Sequence, residues 1–98
     1  MGTVVDFLAH HGGDAVAVAV QDVRPGTACV AYLDSEQRDQ LEVGEAIPYG
    51  HKVALVDLAD GAEVIEYGVR IGIARRAITR GELVHVHNLR SAQWQHSA

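Results

Sequence analysis

The 98-residue sequence predicts an all-β domain of short strands joined by glycine-centred turns. Three observations carry that expectation. Helical periodicity is nearly absent, and apolar residues recur at every second position instead. The stretch DAVAVAVQDV (14–23) alternates Val16, Val18 and Val20 with Ala15, Ala17 and Ala19. A phrase built as Asp or a small residue, an aliphatic, two variable residues and a glycine occurs four times, in DVRPGTAC (22–29), AIPYGHKV (46–53), DLADGAEV (57–64) and AITRGELV (77–84).

The first predicted strand is 3–9, followed by the glycine loop HHGGD (10–14). The Val/Ala strand comes next: one face fills a core, while the small face lets another layer approach closely. In the repeated phrase, glycine supplies the positive φ of a tight turn, the aliphatic tucks beneath it, and a strand starts at once. Asp22 and Asp57 are expected to cap these turns through side-chain to backbone hydrogen bonds. The glycines lie 24, 11 and 20 residues apart, too uneven for a solenoid, so the device serves one compact domain. Further strands are expected at 28–33, 39–43, 52–58, 62–67, 71–76 and 82–89. The core runs from about 4 to 89, and 90–98 forms a tail in which Trp94 is an aromatic anchor for a partner.

Composition removes several function classes. Eight Lys and Arg against thirteen Asp and Glu give a net charge of −5, the wrong sign for neutralising nucleic-acid phosphates. The longest apolar run, Ala15 to Val20, is too short for a bilayer span. No secretory pattern opens the chain, and Asp6 stands where a myristoylation signal has Ser or Thr. The single cysteine, Cys29, reads as a small buried residue in a reducing, cytoplasmic setting.

The histidines are the candidate chemistry. In an extended GELVHVHNLR (81–90), His85 and His87 share a face with Leu83 and Leu89. They read as metal ligands, as contacts to a substrate carboxylate or hydroxyl, or as ordinary half-exposed histidines, and two ligands alone are too few for a cage. His51 and Lys52 follow a Pro-x-Gly turn, where His51 can exchange a proton and Lys52 can bind a carboxylate. The plain alternative is a solvated lysine and a histidine packed on Tyr49. His11 is either a ligand contact or part of a mobile glycine loop, and Asn88 can orient a histidine or bind a hydroxyl. His10 and His96 are expected at the surface.

The run IPYGHKVALVDLADGAEVIEYGVRIGIA, then ITRGELVHVHNLR, with the opening HHGGDAVAVAVQDVRPG, resembles the SAF domain of the altronate/galactarate dehydratase family. The resemblance spans about His11 to Leu89, and GHKVAL and GELVHVHN are its most specific parts. It is closest in form to the free-standing small subunit of two-subunit members, sulfolactate sulfo-lyases among them. The resemblance implies a single SAF domain over 1–98 with a β-clip fold, and a cytoplasmic lyase subunit assisting β-elimination. Either dehydration or desulfonation of a small 2-hydroxy acid, such as a sugar acid or sulfolactate, fits. His85, His87 and His51 are then the catalytic candidates, and Lys52, Asn88 and His11 the substrate contacts. A divalent metal, iron or manganese, is expected mainly in a larger catalytic subunit, with His85 and His87 the candidates should this chain ligate any. Without that subunit the chain is expected to be inactive, and self-association of the isolated chain is a further option. No nucleic-acid or membrane partner is expected. The alternative class is a non-catalytic SAF module that binds carbohydrate or holds a complex together.

Overall fold

A computed structural model describes residues 4–85 and 88–91. They form nine strands and, among the described residues, no helix, so none is long and apolar enough to cross a membrane. The strands are β1 (Phe7–Ala9), β2 (Val16–Ala19), β3 (Gly26–Tyr32), β4 (Arg38–Val43), β5 (Lys52–Ala54), β6 (Glu63–Glu66), β7 (Val69–Ala74), β8 (Leu83–Val84) and β9 (Leu89–Ser91). Six of them make a curled sheet in the order β4-β3-β1-β2-β5-β8, and β6-β7-β9 make a second sheet. All pairings are antiparallel except β1 with β3. The all-β expectation is met.

The Val/Ala strand sits between two cores. Ala17 and Ala19 face a cluster built on Phe7, Val30, Leu41, Ile47 and Val53. Val16 faces the other, with Ala54, Val64, Ile78 and Val84. The small face thus lets one core approach closely, as the alternation predicts, and the valine face fills the second. By Val20 the strand has run out and the side chain is exposed.

The repeated phrases pair with each other. Val23 bridges Ile47, and Leu58 bridges Ile78, in both cases the aliphatic of one phrase against that of another. In three phrases the residue after glycine donates its N–H to the carbonyl two residues before glycine: His51 to Pro48, Ala62 to Ala59 and Glu82 to Thr79. With φ of 82°, 84° and 89° at Gly50, Gly61 and Gly81, these are type II turns. Gly26, at φ 132°, instead opens β3. Asp22 and Asp57 do cap turns, but across the pair: Asp22 accepts from Tyr49 N, and Asp57 from Arg80 N. Gly81 also allows a close approach that no other residue could. A Cβ there would lie 2.0 Å from the Glu42 carbonyl oxygen.

One predicted strand is broken. The 82–89 segment pairs only at Leu83–Val84 and, after a turn, joins the other sheet as Leu89–Ser91. Asn88 causes the break. Its Oδ1 accepts from His85 N at 2.9 Å and its Nδ2 donates to Leu83 O at 2.6 Å, while Asn88 N and Leu89 N both reach His85 O. A side chain that satisfies local backbone groups in this way competes directly with a ladder. His87 and the tail from 92 on, with Trp94, Gln95 and His96, lie outside the described residues.

Candidate functional site

The β5–β8 ladder pairs Lys52 with Val84 and Val53 with Leu83. One step further, the same register sets His51 opposite His85, and their ring centres are 5.1 Å apart. Directly opposed residues on one sheet face are the natural contact pair of an antiparallel ladder. They prolong the face of Ala19, Val53 and Leu83, which belongs to the first core, and so stand at its open corner.

Turns fix the backbone beneath both rings. His51 closes the type II turn over Gly50, and its carbonyl accepts from Ala19 N at 2.8 Å. Its Nδ1 lies 3.3 Å from Tyr49 O. A carbonyl can only accept, so Nδ1 carries the proton in this contact, and in the neutral ring the lone pair is then on Nε2. The histidine does pack against Tyr49, through that residue's backbone. His85 is exposed and is anchored by the Asn88 turn beneath it. Glu82, beside the start of β8, accepts from Thr79 N and pairs with Arg76. Burial alone would raise the Glu82 carboxyl, but the Thr79 N–H and the Arg76 guanidinium outweigh it and hold it below its ordinary value.

Not all the sequence candidates meet here. Strand alternation sends Lys52 to the opposite face, with Val18 and Val84, where it has no ionic partner among the described residues. Asn88 is 0% exposed, and its amide bonds to His85 N and Leu83 O, the arrangement of a residue that supports His85. The extended strand β8 stops at Val84, and His87, the other member of the sequence pair, lies outside the described residues.

His11 lies elsewhere. It precedes the other end of β2, and the five steps from Asp14 to Ala19 span about 16 Å of strand, too far for one small acid to touch both ends. Its Nδ1 is 3.2 Å from Asp34 Oδ2, and its ring stacks on Tyr67 at 4.8 Å. His10, expected at the surface, is half-buried with its ring 4.8 Å from the same Tyr67. Asp14, only 4% exposed, locks this loop: one carboxylate oxygen accepts from His10 N and His11 N, the other from Tyr67 N. Tyr67 takes φ 56° at the β6–β7 hairpin tip. The sequence reading missed this ring cluster, because nothing local announces that residues 10–14 will meet residue 67.

At the far edge of the large sheet, Tyr32 donates to Asp39 at 2.6 Å. Burial first, and Asp39 second, push the Tyr32 phenol up to about 12. The same bond is the main cause that lowers Asp39. A depression of about 430 Å³ lies on that edge, lined by Asp6, Thr27, Cys29, Arg38 and Asp39, with β1 and β2 between it and the β5–β8 histidine pair. Among the described residues, no three His, Cys, Asp or Glu side chains group as a metal cage.

Comparison with known proteins decides the family. The model of the altronate/galactarate dehydratase SAF domain matches residues 5–92. The chain belongs to that family. It is 42% identical over 92 residues to the (2R)-sulfolactate sulfo-lyase subunit alpha of Chromohalobacter salexigens, covering 92% of this chain and 98% of that one. It is 38% identical over 87 residues to the altronate dehydratase of Escherichia coli, covering 89% of this chain but 17% of the relative. The galactarate dehydratase (L-threo-forming) of the same organism is 41% identical over 80 residues, 14% of its length. This SAF domain therefore matches one relative nearly end to end and about a sixth of the dehydratases.

Proposed function

We propose that this SAF domain is the small subunit of a two-subunit lyase, and that its His51/His85 corner faces the substrate at the boundary with a larger catalytic subunit. The near end-to-end match to a sulfo-lyase subunit alpha carries the reading. In the dehydratases the matching domain is a small part of a much longer chain, which supports a division of labour between this domain and a larger one.

The reaction class is β-elimination from a 2-hydroxy acid. A base takes the proton next to the carboxylate, the electron pair forms a carbon–carbon double bond, and the β-substituent leaves with its own bonding pair, as sulfite or, after taking a proton from a general acid, as water. The resulting enol tautomerises to a 2-keto acid. Loss of water from a sugar acid and loss of sulfite from sulfolactate both fit this scheme. His51, whose Nε2 lone pair is kept available by the Nδ1–H contact to Tyr49 O, is suited to moving a proton. His85, one cross-strand step away, is placed to hold the acid's carboxylate or hydroxyl. Lys52 on the other face is too far round the strand to join them and binds, at most, a group of the partner. A divalent cation, held mainly by the large subunit, would supply Lewis-acid stabilisation of the enolate-like charge. The setting is cytoplasmic.

The test is co-expression with the large subunit of the same family, followed by assay on sulfolactate, altronate and galactarate. The reading expects a stable complex that turns over one of them, and no turnover by the small chain alone. Sulfite or water release identifies the leaving group. Robust turnover by the purified 98-residue chain, or full activity of the large subunit without it, would refute the assignment and favour a non-catalytic module.

A further inference from the structure

We propose that His51 and His85 form a two-imidazole chelate for a borderline divalent cation, zinc above all, and that this cation competes with the substrate chemistry of the corner. The inference rests on the reading of that corner as the chemical end of the subunit, since a metal would take the lone pairs that substrate and proton transfer use.

Three observations carry it. The first is ring spacing. A zinc–nitrogen bond of about 2.0–2.1 Å puts each ring centre about 3.2 Å from the metal, so two imidazoles at a tetrahedral angle have centres about 5.2 Å apart. The observed separation is 5.1 Å. The second is the partner of the other nitrogen. A metal-bound histidine usually donates its remaining ring N–H to a carboxylate or backbone carbonyl, which fixes the tautomer. His51 Nδ1 has such a partner in Tyr49 O. The third is rigidity: a type II turn over Gly50 holds one ring, and the buried Asn88 turn holds the other. Little of the chain must be reordered for the two nitrogens to close on one ion.

The site is a half-site. Among the described residues no third His, Cys, Asp or Glu stands beside the pair, so the two imidazoles alone do not close a four-ligand centre. Binding is therefore exchangeable, unlike that of a closed four-ligand zinc centre. Imidazole nitrogens prefer zinc, copper or nickel over the magnesium and calcium that favour oxygen. Acid weakens binding, because each ligand must give up its proton first.

The experiment is a titration of the full 98-residue chain with zinc chloride at pH 7.5, followed through the histidine ring signals by nuclear magnetic resonance. The ring signals of His51 and His85 should shift together and saturate. His51→Gln or His85→Gln should weaken binding by at least the roughly ten- to hundredfold that loss of an outer-shell partner alone costs. His11→Gln should leave it unchanged. Backbone amide spectra of each variant report whether the fold persists. Unmoved His51 and His85 signals at millimolar zinc, or binding lost in His11→Gln and kept in His51→Gln, would overturn the chelate. The two readings fail separately. Zinc binding at the pair, with undiminished turnover in reconstituted His51→Gln and His85→Gln complexes, supports the chelate and refutes the catalytic assignment. Lost turnover without a zinc shift refutes the chelate alone.

Discussion

The two histidine pairs at opposite ends of β2 are assembled differently. His10 and His11 are neighbours in sequence, and their loop is fixed by a buried carboxylate, an aromatic ring and a contact to Asp34. His51 and His85 are 34 residues apart in sequence and meet only because β5 pairs with β8. In the first case polar and aromatic side chains hold the histidines in position. In the second, the Gly50 turn and the buried Asn88 amide fix the two backbones, and the rings meet each other. A site that must exchange protons or ligands is better served by rings at an open sheet corner than by rings packed against an aromatic side chain, and the second corner has that character.

The sharpest way to break this comparison is to disturb each corner's support. Gly81→Ala should have the largest effect, because the new Cβ would meet the Glu42 carbonyl at 2.0 Å and φ is +89°. We expect a loss of roughly 4 kcal/mol or failure to fold, read by chemical denaturation. Asp14→Ala should follow, at about 3 kcal/mol, since it leaves the backbone N–H groups of His10, His11 and Tyr67 without their acceptor. Its damage should stay at the His11 end, with the His51 and His85 ring signals nearly unchanged. Gly50→Ala should cost only about 1–2 kcal/mol, for it has the same kind of φ, +82°, but open space around the new methyl.

Titration should sharpen the contrast between corner and far edge. Tyr32 has a folded-state value above its unfolded one, so its contribution is complete below pH 10 and fades as pH rises towards about 12. Ultraviolet titration should show a late tyrosine that disappears in Tyr32→Phe. Glu82 and Asp39 are lowered, so their contributions are complete above the ordinary carboxylate values and fade as acid reaches the depressed ones. Glu82→Gln should flatten part of the acid limb of the stability curve.

Much of this was legible in the sequence. The alternation at 14–23 and the glycine phrases located most strands and three of the turns, because period-two burial and positive φ are local properties, although the expected strands 3–9 and 52–58 pair only as Phe7–Ala9 and Lys52–Ala54. The cross-capping by Asp22 and Asp57 was half legible: the caps were foreseen, but their partners are set by which phrases pair. The extended reading of 82–89 failed for a physical reason, since alternation cannot reveal that a single buried asparagine will close a turn inside it. His51 and His85 were each named, yet their meeting depended on a register that only the folded sheet supplies.

The measurement that tests the central claim most directly is steady-state kinetics of the lyase complex reconstituted with His51→Gln, His85→Gln and His11→Gln subunits. The account predicts a roughly hundredfold to ten-thousandfold fall in kcat for His51→Gln, as for loss of a proton-transfer group. For His85→Gln it predicts a loss expressed mainly in KM, as for a substrate contact. It predicts near-normal kinetics for His11→Gln. Unchanged kinetics in both corner variants, or a loss confined to His11→Gln, would contradict it.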